Sequence, residues 1–325
     1  MKTATKTWVG AIWWVAYVVL LGAYPTRAGW SHALLLFAAF VLMPLVLDLI
    51  AERRDAGSKT GRLLDLARRA QLPAALLLNA SLVLKTGPLA AAVSLGWFAF
   101  TILLAVYGVG RVRRDGWSRP PDRLAGDIGL IYLALGGLWV VIERLWDRPV
   151  GMNRELVEFG SVYLYVIGLL LPVLSGTLLR QVPESRFGTR GMIGSVLTIP
   201  ALALGAFVAA PGWTPALEAA AGIGLAMSAG MIAILHVRWA LDTRDARPAV
   251  RLLIGTAGTA LAFAVIPAAV YAIRAFVPLM PELGLAQIRL IHGTLITFGF
   301  GLCGVLGWRL RGFAANEELR MQNGE

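Results

Sequence analysis

Glu143 and Arg144 stand side by side at the end of one apolar stretch, and Glu155 and Glu158 open the next. Tyr163 and Tyr165 follow a turn or two deeper. Arg289 and His292 lie three apart at the start of the last apolar stretch, a spacing that puts both on one helix face. Grouped at one depth, these side chains have a definite chemistry. The arginines attract an anionic group, the tyrosines hydrogen-bond it, and a carboxylate with an imidazole exchanges a proton. The candidate binding site is therefore Arg144, Glu158, Tyr163, Tyr165, Arg289 and His292. The competing reading makes them edge charges that reach water along their own stems, as Arg148 and Arg154 are read here.

No metal or cofactor is expected. The chain has three histidines, His32, His236 and His292, and a single cysteine, Cys303. One cysteine excludes an internal disulfide and any multi-cysteine metal or iron–sulfur site. Only His32 and His292 fall at one depth, so the sole haem reading is two axial histidines. Three histidines are too few for a haem–copper centre. A membrane enzyme acting on lipid or a cofactor ranks lowest, because no acid–base pair or metal motif stands at a recognisable spacing.

The elements that position these residues follow from composition. Of 325 residues, 58% are hydrophobic and 15% charged, and mean hydropathy is +0.70. A soluble domain is about 45–50% apolar and about 25% charged. Ten stretches, 7–24, 31–50, 70–86, 89–110, 125–146, 157–179, 190–210, 216–237, 251–274 and 286–308, are each long enough to cross a bilayer core of about 30 Å. Lipid offers no partner to open backbone groups, and no period-two alternation suggests a barrel, so all are expected to be helical. The expectation is an all-α, polytopic transmembrane bundle of about ten spans, with residues 1–325 forming one integral membrane domain.

Basic residues set the orientation. Twenty-three of the 30 arginines and lysines fall on one side of this arrangement and seven on the other. Positive loops stay cytoplasmic, so both termini are expected inside, in a bacterial cytoplasmic membrane, with the candidate pocket facing out. The net charge of +11 is divided among membrane-edge loops rather than gathered on one solvated face. That suits anionic lipid headgroups and argues against nucleic acid. An alternative reading of the N-terminus takes Lys2, Lys6 and the apolar run to Ala23 as a cleaved signal. The length of the run and its bulky Trp13, Trp14 and Tyr17 favour a retained helix.

Residues 51–69 are expected to be the longest cytoplasmic loop, with a turn at Gly57-Ser58-Lys59 and a short interfacial helix around Leu63, Leu64 and Leu66. Pro73 is placed in the first turn of the third span. Pro44, Pro172, Pro200 and Pro267 fall inside spans, where proline kinks a helix and often lines a transport site. Gly299, Cys303 and Gly307, like Gly222, Ala226 and Gly230, are four apart and read as close-packing stripes. Ten spans divide into five plus five, but the halves do not align.

Two segments carry a family resemblance. Residues 159–176, FGSVYLYVIGLLLPVLSG, and residues 292–308, HGTLITFGFGLCGVLGW, resemble the signature segments of YndJ-like bacterial membrane proteins. The region around Pro44, the segment from Leu138-Trp139 to Arg144, and the run from Leu72 to Leu84 are similar too. The resemblance implies a multi-pass membrane protein, sometimes labelled a transporter. It also implies histidines where this chain has Tyr163 and Tyr165, and an asparagine where it has Ile296; His292, Gly293, Gly299 and Phe300 match. Tyrosine still donates a hydrogen bond but is a poorer metal ligand and does not titrate near neutral pH. The leading expectation is a protein that binds or transports a small solute. The alternative is a non-transporting membrane partner or assembly factor that acts through loops 51–69 and 111–123.

Overall fold

The computed structural model describes residues 2–22, 29–51, 57–116, 120–146, 154–182, 185–207, 214–277 and 284–322. Within them the chain is helical. The helices are α1 (Thr3–Leu21), α2 (Trp30–Leu49), α3 (Lys59–Val83), α4 (Pro88–Asp115), α5 (Pro121–Leu145), α6 (154–179), α7 (Arg186–Phe207), α8 (Thr214–Asp242), α9 (Pro248–Ala272) and α10 (285–322). Eight helices among the described residues are long and apolar enough to cross a membrane. The chain is an all-α, polytopic helix bundle. Large apolar side chains such as Trp8, Leu20, Leu89, Met227, Leu252 and Phe263 point outward, as lipid contact requires.

Two helices form the centre. The apolar stretches of α2 and α6 are 89% and 94% buried, against 6% for α1 at the rim. Both contain one widened π turn, Ala38–Leu42 in α2 and Val166–Leu170 in α6, and in both a proline follows just after it, Pro44 and Pro172. α10 is likewise π-wound near its start, over Arg289–Gly293 and Leu295–Leu302. These three helices run parallel. At one end Trp30 Nε1, in the first turn of α2, donates to Thr294 Oγ1, in the third turn of α10, at 3.0 Å, and Asp48 meets Arg309 at the other at 2.7 Å. Consecutive helices α3–α5 pack together after α2, and α7–α9 after α6. A buried helix with a π turn and a proline, followed by three helices packed in sequence, thus occurs twice along the chain.

The break in α2 is sealed on all sides. Pro44 has no N–H, so in a π turn the carbonyl of Ala39 loses its donor. Gln71 of α3, fully buried, supplies Nε2 to that carbonyl at 2.8 Å. Tyr165 of α6 donates its hydroxyl to the neighbouring Ala38 carbonyl at 3.1 Å. Gly10 of α1 lies against the Phe40 carbonyl so closely that a Cβ there would stand 2.3 Å from the oxygen. Three neighbouring helices therefore each cover one carbonyl of the broken turn.

Arginines gather where the charge pattern expects, at one end of the bundle. Asp48 pairs with both Arg68 and Arg309, and the Lys6 ammonium donates to the Arg68 carbonyl. Buried Arg111 pairs with buried Asp127 at 3.2 Å and donates to the Ile50 carbonyl at 2.8 Å, joining α4, α5 and the end of α2. Arg180 meets Asp122 at 3.2 Å.

The expected loop 51–69 is corrected in its second half. Ser58 caps α3 by accepting the Gly61 N–H at 2.9 Å, and the helix runs unbroken from Lys59 through the third span. Pro73 consequently lies in the middle of α3 and not in its first turn. The glycine stripes hold in part. Gly299 and Gly307 pack against Ala260 and Ile254 of α9, and Gly222 against Ala272, whereas Gly230 meets nothing within 4 Å.

Candidate functional site

Opposite the arginine-rich end, His32 and Glu143 meet inside the protein. His32 occupies the first turn of α2 and Glu143 the last turn of α5, with Nε2 and Oε1 2.6 Å apart. Ser161, about two turns into α6, donates its hydroxyl to the second carboxylate oxygen. All three side chains are buried. Arg144 and Glu158 lie within electrostatic reach of His32, and Tyr17 of α1 within reach of Glu143, Arg144 and Glu158. Four helices thus contribute to one polar cluster. Its enclosure comes from the bundle itself: α1 covers it through Trp14, whose indole donates to the Ala33 carbonyl at 2.6 Å, and Trp139 donates to Val157 at 2.7 Å.

The order of the groups decides what they can do. The carboxylate sits between the hydroxyl and the imidazole, so Ser161 donates to Glu143 and not to His32. The imidazole therefore has no contact with the serine hydrogen, and the three side chains do not form a Ser–His dyad. Buried charges are costly unless paired, and here acidic and basic side chains from α2, α5 and α6 lie close enough to offset one another.

The six residues singled out from sequence do not form one pocket. Arg144 and Glu158 join the cluster around Glu143. Arg144 is also a clamp: its Nη2 donates to the Leu84 carbonyl at 2.6 Å, and its own carbonyl accepts the Gly87 N–H at 2.8 Å. Gly87 has φ +151°, a conformation that only glycine adopts easily, so the α3–α4 turn is held against the end of α5. Tyr163 and Tyr165, two apart on a helix, diverge. Tyr163 donates to the Ile199 carbonyl of α7 at 3.2 Å, and Tyr165 to α2. His292 turns to α9, with Nδ1 2.8 Å from the Ala264 carbonyl. Arg289 is buried on the first π turn of α10, and its Nε has no hydrogen-bond partner. The side chains of Arg154 and Glu155, and all of Arg148, lie outside the described residues.

The sequence placed Glu143 in the outer cluster but not among the six candidate site residues, gave Ser161 no role, and left His32 as a haem ligand or a polar group at a helix end. The signal that was available is positional: His32, Glu143 and Ser161 each sit within about two turns of helix ends that share one side of the bundle. His32 and His292 each give a ring nitrogen to a protein partner. His236 is closed off entirely, with Nδ1 2.9 Å from the Ile232 carbonyl and Nε2 accepting from the Trp308 indole at 3.4 Å. Among the described residues no three His, Cys, Asp or Glu side chains converge as metal ligands. Of the two loops proposed to meet partners, residues 59–69 and 111–115 are helical, and 52–56 and 117–119 lie outside the described residues.

Comparison with known proteins agrees with this architecture. The family described as YndJ-like protein matches residues 33–300. "Uncharacterized membrane protein YndJ" of Bacillus subtilis (strain 168) is 25% identical over 219 residues, which cover 66% of this chain and 37% of that relative. The chain therefore corresponds to little more than a third of that relative's length. No solved structure matches. The chain belongs to the YndJ-like family and is a multi-pass membrane protein.

Proposed function

We propose that this YndJ-like chain moves a small solute with an anionic group across the bacterial cytoplasmic membrane, exchanging a proton at the His32–Glu143 pair. The observation that carries this reading is the 2.6 Å contact between two ionisable side chains inside membrane-spanning helices. Ionisable groups within spans are costly, and they commonly mark proton relays and substrate paths. Two further features support it. Single π turns inside helices occur frequently at functional sites, and the buried, proline-bearing α2 and α6 each contain one. Arg289, a buried cation on the first π turn of α10, is the group on which a solute carboxylate or phosphate is expected to dock. By the positive-inside rule both termini are cytoplasmic and the cluster lies at the outer edge. Glu143 holds the proton with His32, Ser161 orients the carboxylate, and Arg144 fixes the end of α5.

The test uses proteoliposomes loaded with a pH-sensitive dye and challenged with pools of small organic acids and phosphate esters. The wild type should acidify the lumen only when its solute is present. Glu143→Gln should abolish the response and Glu143→Asp should retain part of it. The reading fails if folded Glu143→Gln matches the wild type, or if no pool moves protons through the wild type.

A further inference from the structure

At the arginine-rich end a groove of about 650 Å³ opens between α3 and α4, remote from the His32–Glu143 cluster. Its walls are apolar and include Ile102 and Val106, both well exposed on the outer face of α4. Its head is polar. There the exposed Lys59, Arg113 and Arg114 surround the first turn of α3, where Arg114 Nη1 donates to Thr60 Oγ1 at 3.0 Å and Thr60 is 2.8 Å from Ser58 Oγ. Arg114 is paired with Asp115 at 2.9 Å, which leaves Lys59 and Arg113 to add positive charge beside the first turn of a 25-residue helix, whose unpaired N–H groups and dipole favour a phosphate. From Arg113 to Ile102 the groove follows α4 for about 16 Å, close to the length of an acyl chain. A soluble phosphate would use the head and leave the apolar walls empty.

We propose that this groove is a binding site for one anionic glycerophospholipid, its phosphate held by Lys59 and Arg113 and one acyl chain laid along Ile102 and Val106. Charge complementarity selects the headgroup, and the groove's direction sets the chain toward the bilayer centre. The site would fasten the α3–α4 pair to the leaflet on the arginine-rich side.

Native mass spectrometry of the detergent-purified full chain tests this, with phosphatidylglycerol, phosphatidylcholine of the same chains and soluble glycerol phosphate as probes. The wild type should retain one phosphatidylglycerol in preference to phosphatidylcholine, and glycerol phosphate should not displace it. Lys59→Gln/Arg113→Gln should weaken phosphatidylglycerol retention at least about tenfold, the loss of roughly two charge contacts at a lipid surface. Val106→Trp, which fills the groove from an exposed position, should do the same with the cations intact. Equal retention of the two lipids, displacement by glycerol phosphate, or unchanged retention in either variant would overturn the site.

Discussion

Gln71 shows how one side chain stabilises a broken helix in a solvent that offers no hydrogen bonds. Pro44 leaves the Ala39 carbonyl without its helical donor, and Gln71 Nε2 replaces it from another helix. Removing the amide leaves a buried acceptor unsatisfied, which costs about 1–3 kcal/mol. Gln71→Leu should accordingly lower the thermal unfolding midpoint in detergent with little change in side-chain volume. Ser161→Ala removes a charge-assisted bond to Glu143 and should cost about 1.5–3 kcal/mol if that carboxylate is ionised, measured in the same way. Neither residue stood out from sequence. Gln71 falls at the start of the expected third span, where a polar residue reads as an edge group, and a serine among apolar residues reads as packing. The types are ordinary, and only the helix opposite gives them a role.

Helices, by contrast, were mostly legible, because lipid forces apolar stretches into helical form and hydropathy records this directly. α3 is the instructive miss. Arg62, Arg68 and Arg69 make residues 59–69 look like loop, yet Thr60, Leu64, Ala67, Gln71, Ala74 and Leu78 recur at helical spacing on its buried face. Periodicity held where mean hydropathy failed. The π turns left no such trace, since they depend on how neighbouring helices cover the carbonyls. A double-mutant cycle tests that dependence. In Pro44→Ala the restored N–H can reach the Ala39 carbonyl, so Gln71→Leu should be less damaging on that background than on the wild type. Additive effects would mean that Gln71 acts elsewhere. Gly10→Ala should also destabilise, because its Cβ would meet the Phe40 backbone, and the shift should appear as weaker α1 docking in limited proteolysis.

At the scale of the whole molecule, the charge pattern and the fold agree on sidedness. Lys6, Arg68, Arg111, Arg180 and Arg309 meet at one end, and His32, Glu143, Arg144 and Glu158 at the other. The pattern was readable because each arginine bears on topology by itself. The candidate site was readable only in part, because its chemistry requires α2, α5 and α6 to converge and no spacing along the chain encodes that. Which end faces the cytoplasm is decided by a Ser58→Cys probe in a Cys303→Ala background. Labelling by an impermeant thiol reagent should require permeabilised cells; labelling in intact cells would reverse the assignment.

Proton exchange at the buried pair is reported most directly by nitrogen NMR of histidine-labelled protein in lipid nanodiscs. Three histidines give a spectrum simple enough to assign by single substitutions. The His32 ring should change protonation state in one step across a pH window spanning neutrality, with the step altered in Glu143→Gln while His236 stays constant. A His32 signal fixed in one state across that window, identical in Glu143→Gln, would mean that the pair is a sealed structural contact and would contradict the proposed function.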